Sequence, residues 1–393
     1  MDSQLRNLLV IAAGEPPHRV TIDRVRRTLI RRRFTTAASA ALAVILAGGT
    51  GVAVSAVVTG QPPAGSLNPA GRPPFYYQLG KGHLIRSTAS GAITGHVVCP
   101  WRGAALNSAT VARPSTFFIS CGKLVRTGQT SQAFISQIYR FTLTSKGRIT
   151  GYTQVRGGTL TNLEVYQMAA SPDGSELAFG VGGIGGPPYE VIVLNTLNGS
   201  QTSWSQVTGR RSQYSYLIDD LSFTSSGRKL VFLVSVACDS HFSACKSPGN
   251  EVRELNPAGP GTLVGRTTLL FKRAALTAHE DSVIEAAQVS PDGKVVTLVL
   301  VTNTQRSGLP GSISVLRVAA RSGKVLEAIY RSQRADSYVS FRFFSADISR
   351  RYFLLGYEYG GTLRSYPLAS GWLDKGKLMP LPHAGRNADS EIW

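Results

Sequence analysis

From about residue 75 onward, apolar residues arrive in short runs separated by polar turns, and the runs are of two kinds. Some are almost continuously apolar, such as Lys229 to Val236 and Val295 to Val301, which predicts strands covered on both faces. Others come in pairs that return around a glycine: Arg86 to Val97 around Gly91, Tyr139 to Thr150 around Gly147, and Val191 to Ser203 around Gly199. Three more follow, Glu251 to Val264 around Gly261, Ser314 to Ala328 around Gly323, and Leu363 to Met379 around Gly371. Each pair predicts an antiparallel hairpin.

A second motif alternates with the returns. Four segments align: Ser171-Pro-Asp-Gly-Ser-Glu-Leu-Ala-Phe, Thr224-Ser-Ser-Gly-Arg-Lys-Leu-Val-Phe, Ser290-Pro-Asp-Gly-Lys-Val-Val-Thr-Leu, and the looser Ser345-Ala-Asp-Ile-Ser-Arg-Arg-Tyr-Phe. Ala112-Arg-Pro-Ser-Thr-Phe-Phe-Ile is a degenerate fifth. In this motif proline presets φ at the second turn position, Asp accepts local backbone bonds, and Gly takes the left-handed position before the next strand. Residues 75–380 shared among the six returns give about 51 residues per unit, within the period of propeller blades. The predicted architecture is all-β: a propeller of six blades, with seven or five as alternatives, over residues 75–393.

The Ser-Pro-Asp-Gly turn with its apolar strand and glycine return, best carried by Ser171 to Phe179 and Ser290 to Leu298, resembles the TolB-like and WD-repeat-like β-propellers. The whole chain is similar to the membrane-anchored WD-like repeat proteins of high-GC actinobacteria. The resemblance covers about three quarters of the chain. It implies a fold and leaves function open, because propellers host many unrelated activities.

One stretch departs from this pattern. No charged residue lies between Arg33 and Arg72. Residues 35–59 would form a helix of roughly 37 Å, enough for a hydrocarbon core of about 30 Å. Arg24, Arg26, Arg27, Arg31, Arg32 and Arg33 crowd its N-terminal side, so residues 1–34 are expected in the cytoplasm, against inner-leaflet lipid, and the rest outside. Val54-Ser55-Ala56 offers a signal-peptide cleavage site. The long leader and long apolar run favour an uncleaved anchor. Leu5, Leu8 and Leu9, then Ile22, Val25 and Leu29, predict short basic helices. This N-terminal layout resembles that of actinobacterial single-pass regulators, without the His/Cys zinc motif of the zinc-binding anti-sigma class. Residues 60–74, with five prolines, read as a stiff linker.

Charge and cysteines fit that address. The chain carries a net +19, of which +5 lies in residues 1–33. The remaining +14 is exported, which argues against nucleic acid and for an envelope protein or anionic wall polymer as partner. All four cysteines follow the span, and they predict two disulfides, Cys238 with Cys245 and Cys99 with Cys121. Cys238, His241 and Cys245 match no zinc spacing.

Catalytic signatures are missing from the sequence. It has no Gly-x-Ser-x-Gly elbow, no His-Glu-x-x-His, no Walker loop and no dinucleotide fingerprint. Asn195 to Trp204 faintly echoes a quinoprotein repeat. Segments ahead of the expected innermost strands hold Glu164, Asp219, Asp220, Glu280, Asp281 and Asp336, six of 23 acidic residues, with His279 beside them. They suggest a channel mouth that binds calcium or a cationic group; the alternative is ordinary turn and solubility residues. Tyr357 and Tyr359 suit a recognition surface or rim packing.

The expected function is a single-pass, membrane-anchored extracytoplasmic propeller acting as a binding module. Two alternatives are a metal-dependent propeller enzyme of the lactonase kind and a transmembrane regulator whose propeller is the sensor.

Overall fold

A computed structural model describes residues 74–380, apart from 79–82, 114, 129–131, 184–188, 206–213, 225–226, 228, 239–248, 258, 260, 277–281, 303–310, 335–336, 348–349 and 361–368. The proposed span 35–59 and basic segment 1–34 lie outside the described residues, as do most of the linker, Cys245, His279, Glu280, Asp281 and Asp336. No helix among the described residues is long and apolar enough to cross a membrane.

Six antiparallel meanders follow one another. Blade 1 holds β1 (Phe75–Gln78), β2 (Leu84–Ser87) and β3 (Ile93–His96). Blade 2 holds β4 (Ala105–Arg113), β5 (Thr116–Arg126), β6 (Gln132–Leu143) and β7 (Ile149–Thr161). Blade 3 holds β8 (Glu164–Ala170), β9 (Glu176–Gly182), β10 (Glu190–Asn195) and β11 (Gln201–Ser205). Blade 4 holds β12 (Tyr214–Phe223), β13 (Leu230–Cys238), β14 (Gly249–Leu255) and, past a short β15 (Gly261–Thr262), β16 (Thr267–Lys272). Blade 5 holds β17 (Ser282–Val289), β18 (Val295–Thr302), β19 (Gly311–Ala319) and β20 (Val325–Arg334). Blade 6 holds β21 (Tyr338–Ala346), β22 (Phe353–Gly360), β23 (Ala369–Asp374) and β24 (Lys377–Pro380). Strand order within each blade is sequential, and β4, β8, β12, β17 and β21 each neighbour the next in turn, as strands nearest a common axis do. The protein is an all-β, six-bladed propeller.

Apolar clusters fill every junction between blades. Phe118 and Ile138 of blade 2 meet Leu177 and Phe179 of blade 3. Val191 and Trp204 of blade 3 meet Phe223 and Phe232 of blade 4, and equivalent clusters join blades 4 to 5 and 5 to 6. The ring closes where Phe75, Tyr76 and Tyr77 of blade 1 sit in one cluster with Phe117 and Phe141 of blade 2 and Phe343, Leu354 and Trp372 of blade 6. Cys99, after β3, is bonded to Cys121 of β5, with Cα atoms 5.8 Å apart, so blades 1 and 2 are also tied covalently. Cys238 ends β13, while its expected partner lies outside the described residues.

The glycine returns mostly stand where the pattern put them. Gly91, Gly147, Gly199 and Gly323 occupy left-handed positions, with φ between 66° and 80°. The turns also lock neighbouring blades. A Cβ on Gly199 would lie 3.1 Å from Gly157 N in blade 2, and one on Gly323 would lie 3.1 Å from Phe271 Cβ in blade 4.

Two returns were misplaced. Gly371 lies inside β23 opposite Pro380, and the turn is made by Lys375 and Gly376, at φ 46° and 79°. Gly261 makes no hairpin. It belongs to β15, which pairs in parallel with β11 of blade 3 (Trp204 with Gly261, Ser205 with Thr262), and Trp204 Nε1 donates to Gly259 O at 3.0 Å. Where other blades press a tight turn against the preceding blade, blade 4 adds a strand to it.

Candidate functional site

The tunnel wall is built from strands with one repeated irregularity. Register shifts leave an extra residue in each of β4, β8, β12, β17 and β21, namely Asn107 (with a second, Ala112, further along β4), Tyr166, Asp220, Glu285 and Arg342. Such bulges re-aim side chains. In blades 3, 5 and 6 the bulge falls four paired residues from the turn that follows, but in blade 4 it falls after three. That one-residue difference carries Asp220 into the wall. Its backbone is left-handed at φ 48°, and only 3% of the residue is exposed.

Asp220 Oδ2 accepts from the Ala287 amide at 2.6 Å and Oδ1 accepts from Gln288 Nε2 at 2.9 Å, both on β17 of the next blade. Ser222, one pleat on, repeats the device, its Oγ accepting from the Val289 amide at 3.1 Å. Asp219 takes another route. Ser235 Oγ donates to Asp219 Oδ2 at 3.0 Å, Asn250 Nδ2 donates to Ser235 Oγ at 3.0 Å, and Asn250 Oδ1 accepts from the Ile284 amide at 3.2 Å. From the other side Gln167 of β8 donates through Nε2 to Ile218 O at 2.5 Å. Side chains of blades 3 and 4 thus bond the inner edge of the next blade, where inner strands bring main-chain groups that a buried wall must satisfy.

Arg350 enters this wall from two blades away. It belongs to the turn between β21 and β22, and Nη2 donates to Ser222 Oγ at 3.3 Å. The turn corrects the alignment of the fourth repeat. In blades 3, 4 and 5 the anchor residue's amide bonds the carbonyl five residues on, and the glycine three residues on bonds back to the anchor: Ser171 with Glu176 and Gly174, Thr224 with Lys229 and Gly227, Ser290 with Val295 and Gly293. In blade 6 the same bonds join Asp347 to Tyr352 and Arg350 to Asp347. The anchor is therefore Asp347, two residues later than Ser345. Arg350 stands in the glycine column, at φ 56°. Asp347 Oδ1 holds the turn by accepting from the amides of Arg351 at 2.9 Å and Tyr352 at 2.8 Å.

Burial dominates the electrostatics here. It pushes Asp220 up to about 8; the Ala287 amide, Arg350 and Gln288 oppose the rise, and Asp219 adds to it. Burial also pushes Arg350 down, and Asp347 and then Asp220 counter it. Arg350 bonds Ser222 of blade 4, while Asp220 and Ser222 bond blade 5, so the cluster pins blades 4, 5 and 6 together.

Of the seven residues expected at a channel mouth, three are described, and each is engaged separately. Glu164 Oε2 accepts from Tyr166 at 2.8 Å, Asp219 bonds Ser235, and Asp220 bonds blade 5. Asp219 and Asp220 lie within β12 rather than ahead of it. Among the described residues no three His, Cys, Asp or Glu side chains converge as metal ligands. His279, Glu280, Asp281 and Asp336 lie outside the described residues.

Other marked residues have structural work. Asn195 Oδ1 caps its turn by accepting from the amides of Leu197 and Asn198, and Trp204 is fully buried. Tyr357 and Tyr359 are 3% and 9% exposed and so form no recognition surface; Tyr357 bonds Tyr330 at 2.6 Å and Tyr359 donates to Ser332 at 2.9 Å. Sequence reasoning missed Gln167, Ser222, Gln288, Asp347 and Arg350. The available signal was a carboxyl anchor three residues ahead of an arginine where the other repeats carry glycine.

No protein-family model matches this chain, and no curated protein matches it. Among solved structures it is similar to dipeptidyl peptidase 4 of Porphyromonas gingivalis, at 11% identity and a TM-score of 0.36, over 79% of this chain and 45% of that one. It is also similar to the tricorn protease, at 9% identity and a TM-score of 0.42, over 77% and 33%. Prolyl oligopeptidase B from Galerina marginata aligns at 14% identity and a TM-score of 0.35, over 68% and 36%. The chain spans less than half the length of these peptidases.

Proposed function

We propose that the protein is an extracytoplasmic binding module, a six-bladed disc held at the membrane by residues 35–59. In this reading the disc presents its loop faces to an envelope protein or an anionic wall polymer. The observation that carries it is the Cys99–Cys121 disulfide, since such bonds persist in oxidising compartments and are rare in the cytosol. The Arg24 to Arg33 cluster ahead of the apolar run supports the same orientation, with the arginines on inner-leaflet lipid. Binding is favoured over chemistry because the three described acids of the expected mouth are each engaged in hydrogen bonds of their own, Glu164 with Tyr166, Asp219 with Ser235 and Asp220 with blade 5. A rigid ring with variable loops suits recognition.

Reporter fusions test the address. Alkaline phosphatase joined after Trp393 should be active in cells, and a cytoplasm-dependent fluorescent protein at the same place should be dark; the reverse pattern rejects the reading. Proximity labelling from the C-terminal domain should then enrich envelope components over cytoplasmic ones.

A further inference from the structure

Charge is divided unevenly around the ring. Residues 75–163, which make blades 1 and 2, hold ten lysines and arginines and no aspartate or glutamate. Residues 164–209, which include blade 3, hold four acids and no lysine or arginine. The ion pairs among the described residues lie in blades 4, 5 and 6, as Arg253–Glu251, Arg317–Glu327 and Arg342–Glu358 do. The cations of blade 2 have no carboxylate in their own sector to pair with, and a single-sign field of this kind draws anionic ligands toward it. One face of blade 2 presents that charge. On this face Phe118 and Ile138 pack against Leu177 and Phe179 of blade 3. Alternation along β6 puts Arg140 and Thr142 on the same side as Ile138. Arg148 and Thr150 lie there too, because Ile149 between them packs the other way, toward blade 1. Blade 3 is too small to cover the whole face: β9, β10 and β11 have 7, 6 and 5 residues, against 11, 12 and 13 in β5, β6 and β7. Exposed Arg140 lines a hollow of about 270 Å³ with Thr116, Thr142, Thr150, Gly151 and Thr153, and no acid lines it. Thr142 and Thr150 bond each other, while the hydroxyls of Thr116 and Thr153 bond no described group. Beside it, Lys146 and Arg148 flank the left-handed Gly147 in the turn from β6 to β7. Thr144 Oγ1 fixes that turn by accepting from their amides at 3.3 and 3.1 Å.

We propose that this face of blade 2 is a docking surface for a linear, phosphate-bearing polymer: Arg140 and the threonines of the hollow take one phosphate, and Lys146 and Arg148 take others along the chain. The proposal rests on the binding-module reading and narrows its partner to the anionic polymer. Phosphate fits because a guanidinium fork and hydroxyls brought together from β5, β6 and β7 suit a group with several oxygens on one centre. A polymer fits because Arg140 stands opposite Thr153, five residues along β7 from Arg148, or roughly 15 Å. Successive charges of one chain span that distance, and a single small anion does not. A hollow beside the flank of blade 3 also admits a thread more readily than a flat layer of lipid headgroups. The acid at this border is already engaged. Asp173 lies in the blade 3 turn whose Gly174 would set a Cβ 3.1 Å from Ala112 Cβ of blade 2, and its Oδ1 accepts from Ser171 Oγ at 2.6 Å and the Ser175 amide at 3.0 Å.

Titration of the detergent-solubilised full chain with poly(glycerol phosphate) tests this, with polyglutamate of equal charge as the comparison. The unaltered chain should bind the phosphate polymer more tightly than polyglutamate. Arg140→Gln combined with Arg148→Gln should weaken that binding by roughly tenfold or more, while Arg331→Gln, on exposed β20 of blade 5, should change it by less than about twofold. Equal losses from the two variants, equal binding of polyglutamate, or no binding by the unaltered chain overturns the proposal. The last result leaves a protein partner open, so the binding-module reading survives it; that reading falls instead to the reporter fusions. If the double variant fails to fold, hydrogen exchange on the unaltered chain decides. The polymer should slow exchange most within residues 140–153. Protection centred on blade 5 or on residues 24–33, or protection of 140–153 by micelles containing phosphatidylglycerol but not by the polymer, overturns the assignment.

Discussion

The turns of blades 5 and 6 close the same hairpin with different chemistry. Blade 5 uses Ser290-Pro-Asp-Gly, with Gly293 at φ 72° and local bonds from Ser290 and Lys294 to Asp292, which hold that carboxyl below the usual range. Blade 6 keeps the main-chain bonds but puts Arg350 in the left-handed position and sends its side chain to Ser222 of blade 4. The first turn is self-sufficient, while the second accepts an unfavourable backbone conformation to place a cation inside the ring. A positive φ outside glycine is an observation from which function is inferred, and here it leads to a pin between blades.

Breaking the pin should have the largest effect. Arg350→Ala keeps the strained turn and removes the charged donor bonded to Ser222, so denaturant unfolding should show a loss of about 1.5–3 kcal/mol. Arg350→Gly relieves the backbone and should be less harmful than Arg350→Ala by roughly 1–2 kcal/mol. Equal losses would mean that the turn carries no strain.

Next comes the pH dependence of Asp220. Its folded value of about 8 lies above the ordinary 3.8, so between those values the folded chain holds a proton that the unfolded chain has released. Stability from this group is present below about pH 4, falls as pH rises, and is level above about 8. Relative to Asp220→Asn, the wild-type melting temperature should drop steadily from pH 5 to pH 8. Parallel curves would show that Asp220 is charged throughout.

Smaller effects belong to the self-sufficient turn. Gly293→Ala should cost about 1–2 kcal/mol from conformation alone, because its Cβ would meet Thr224 at an ordinary 3.4 Å. Pro172→Ala in the blade 3 turn should cost roughly 0.4–1 kcal/mol by freeing the unfolded chain. Both are measured by the same unfolding titration. A loss at Pro172 as large as that at Gly293 would show that the turn is not governed by φ.

The contrast also explains what could be read from the sequence. Blade count, the turns at Gly174, Gly227 and Gly293, and four glycine returns were legible because each is a local requirement on φ met by a local residue. Gly261 and Gly371 misled because glycine also serves inside strands, where Gly261 lies against the Arg266 side chain and Gly371 against the Met379 carbonyl. The alignment of the fourth repeat failed because Asp347 and Arg350 perform by hydrogen bonding what serine and glycine do elsewhere. The tunnel pin was illegible because a one-residue bulge shift decides whether Asp220 faces the neighbouring blade, and no periodicity marks that shift.

The strand that blade 4 lends to blade 3 has a consequence for how the ring comes apart. With β15 bonded to β11, and Trp204 bonded to Gly259, the outer edge of blade 3 cannot open without displacing the connection between β14 and β16. Blades 3 and 4 are therefore expected to open as one cooperative unit. Under mechanical load or limited proteolysis they should yield together, while the ring opens first at other seams.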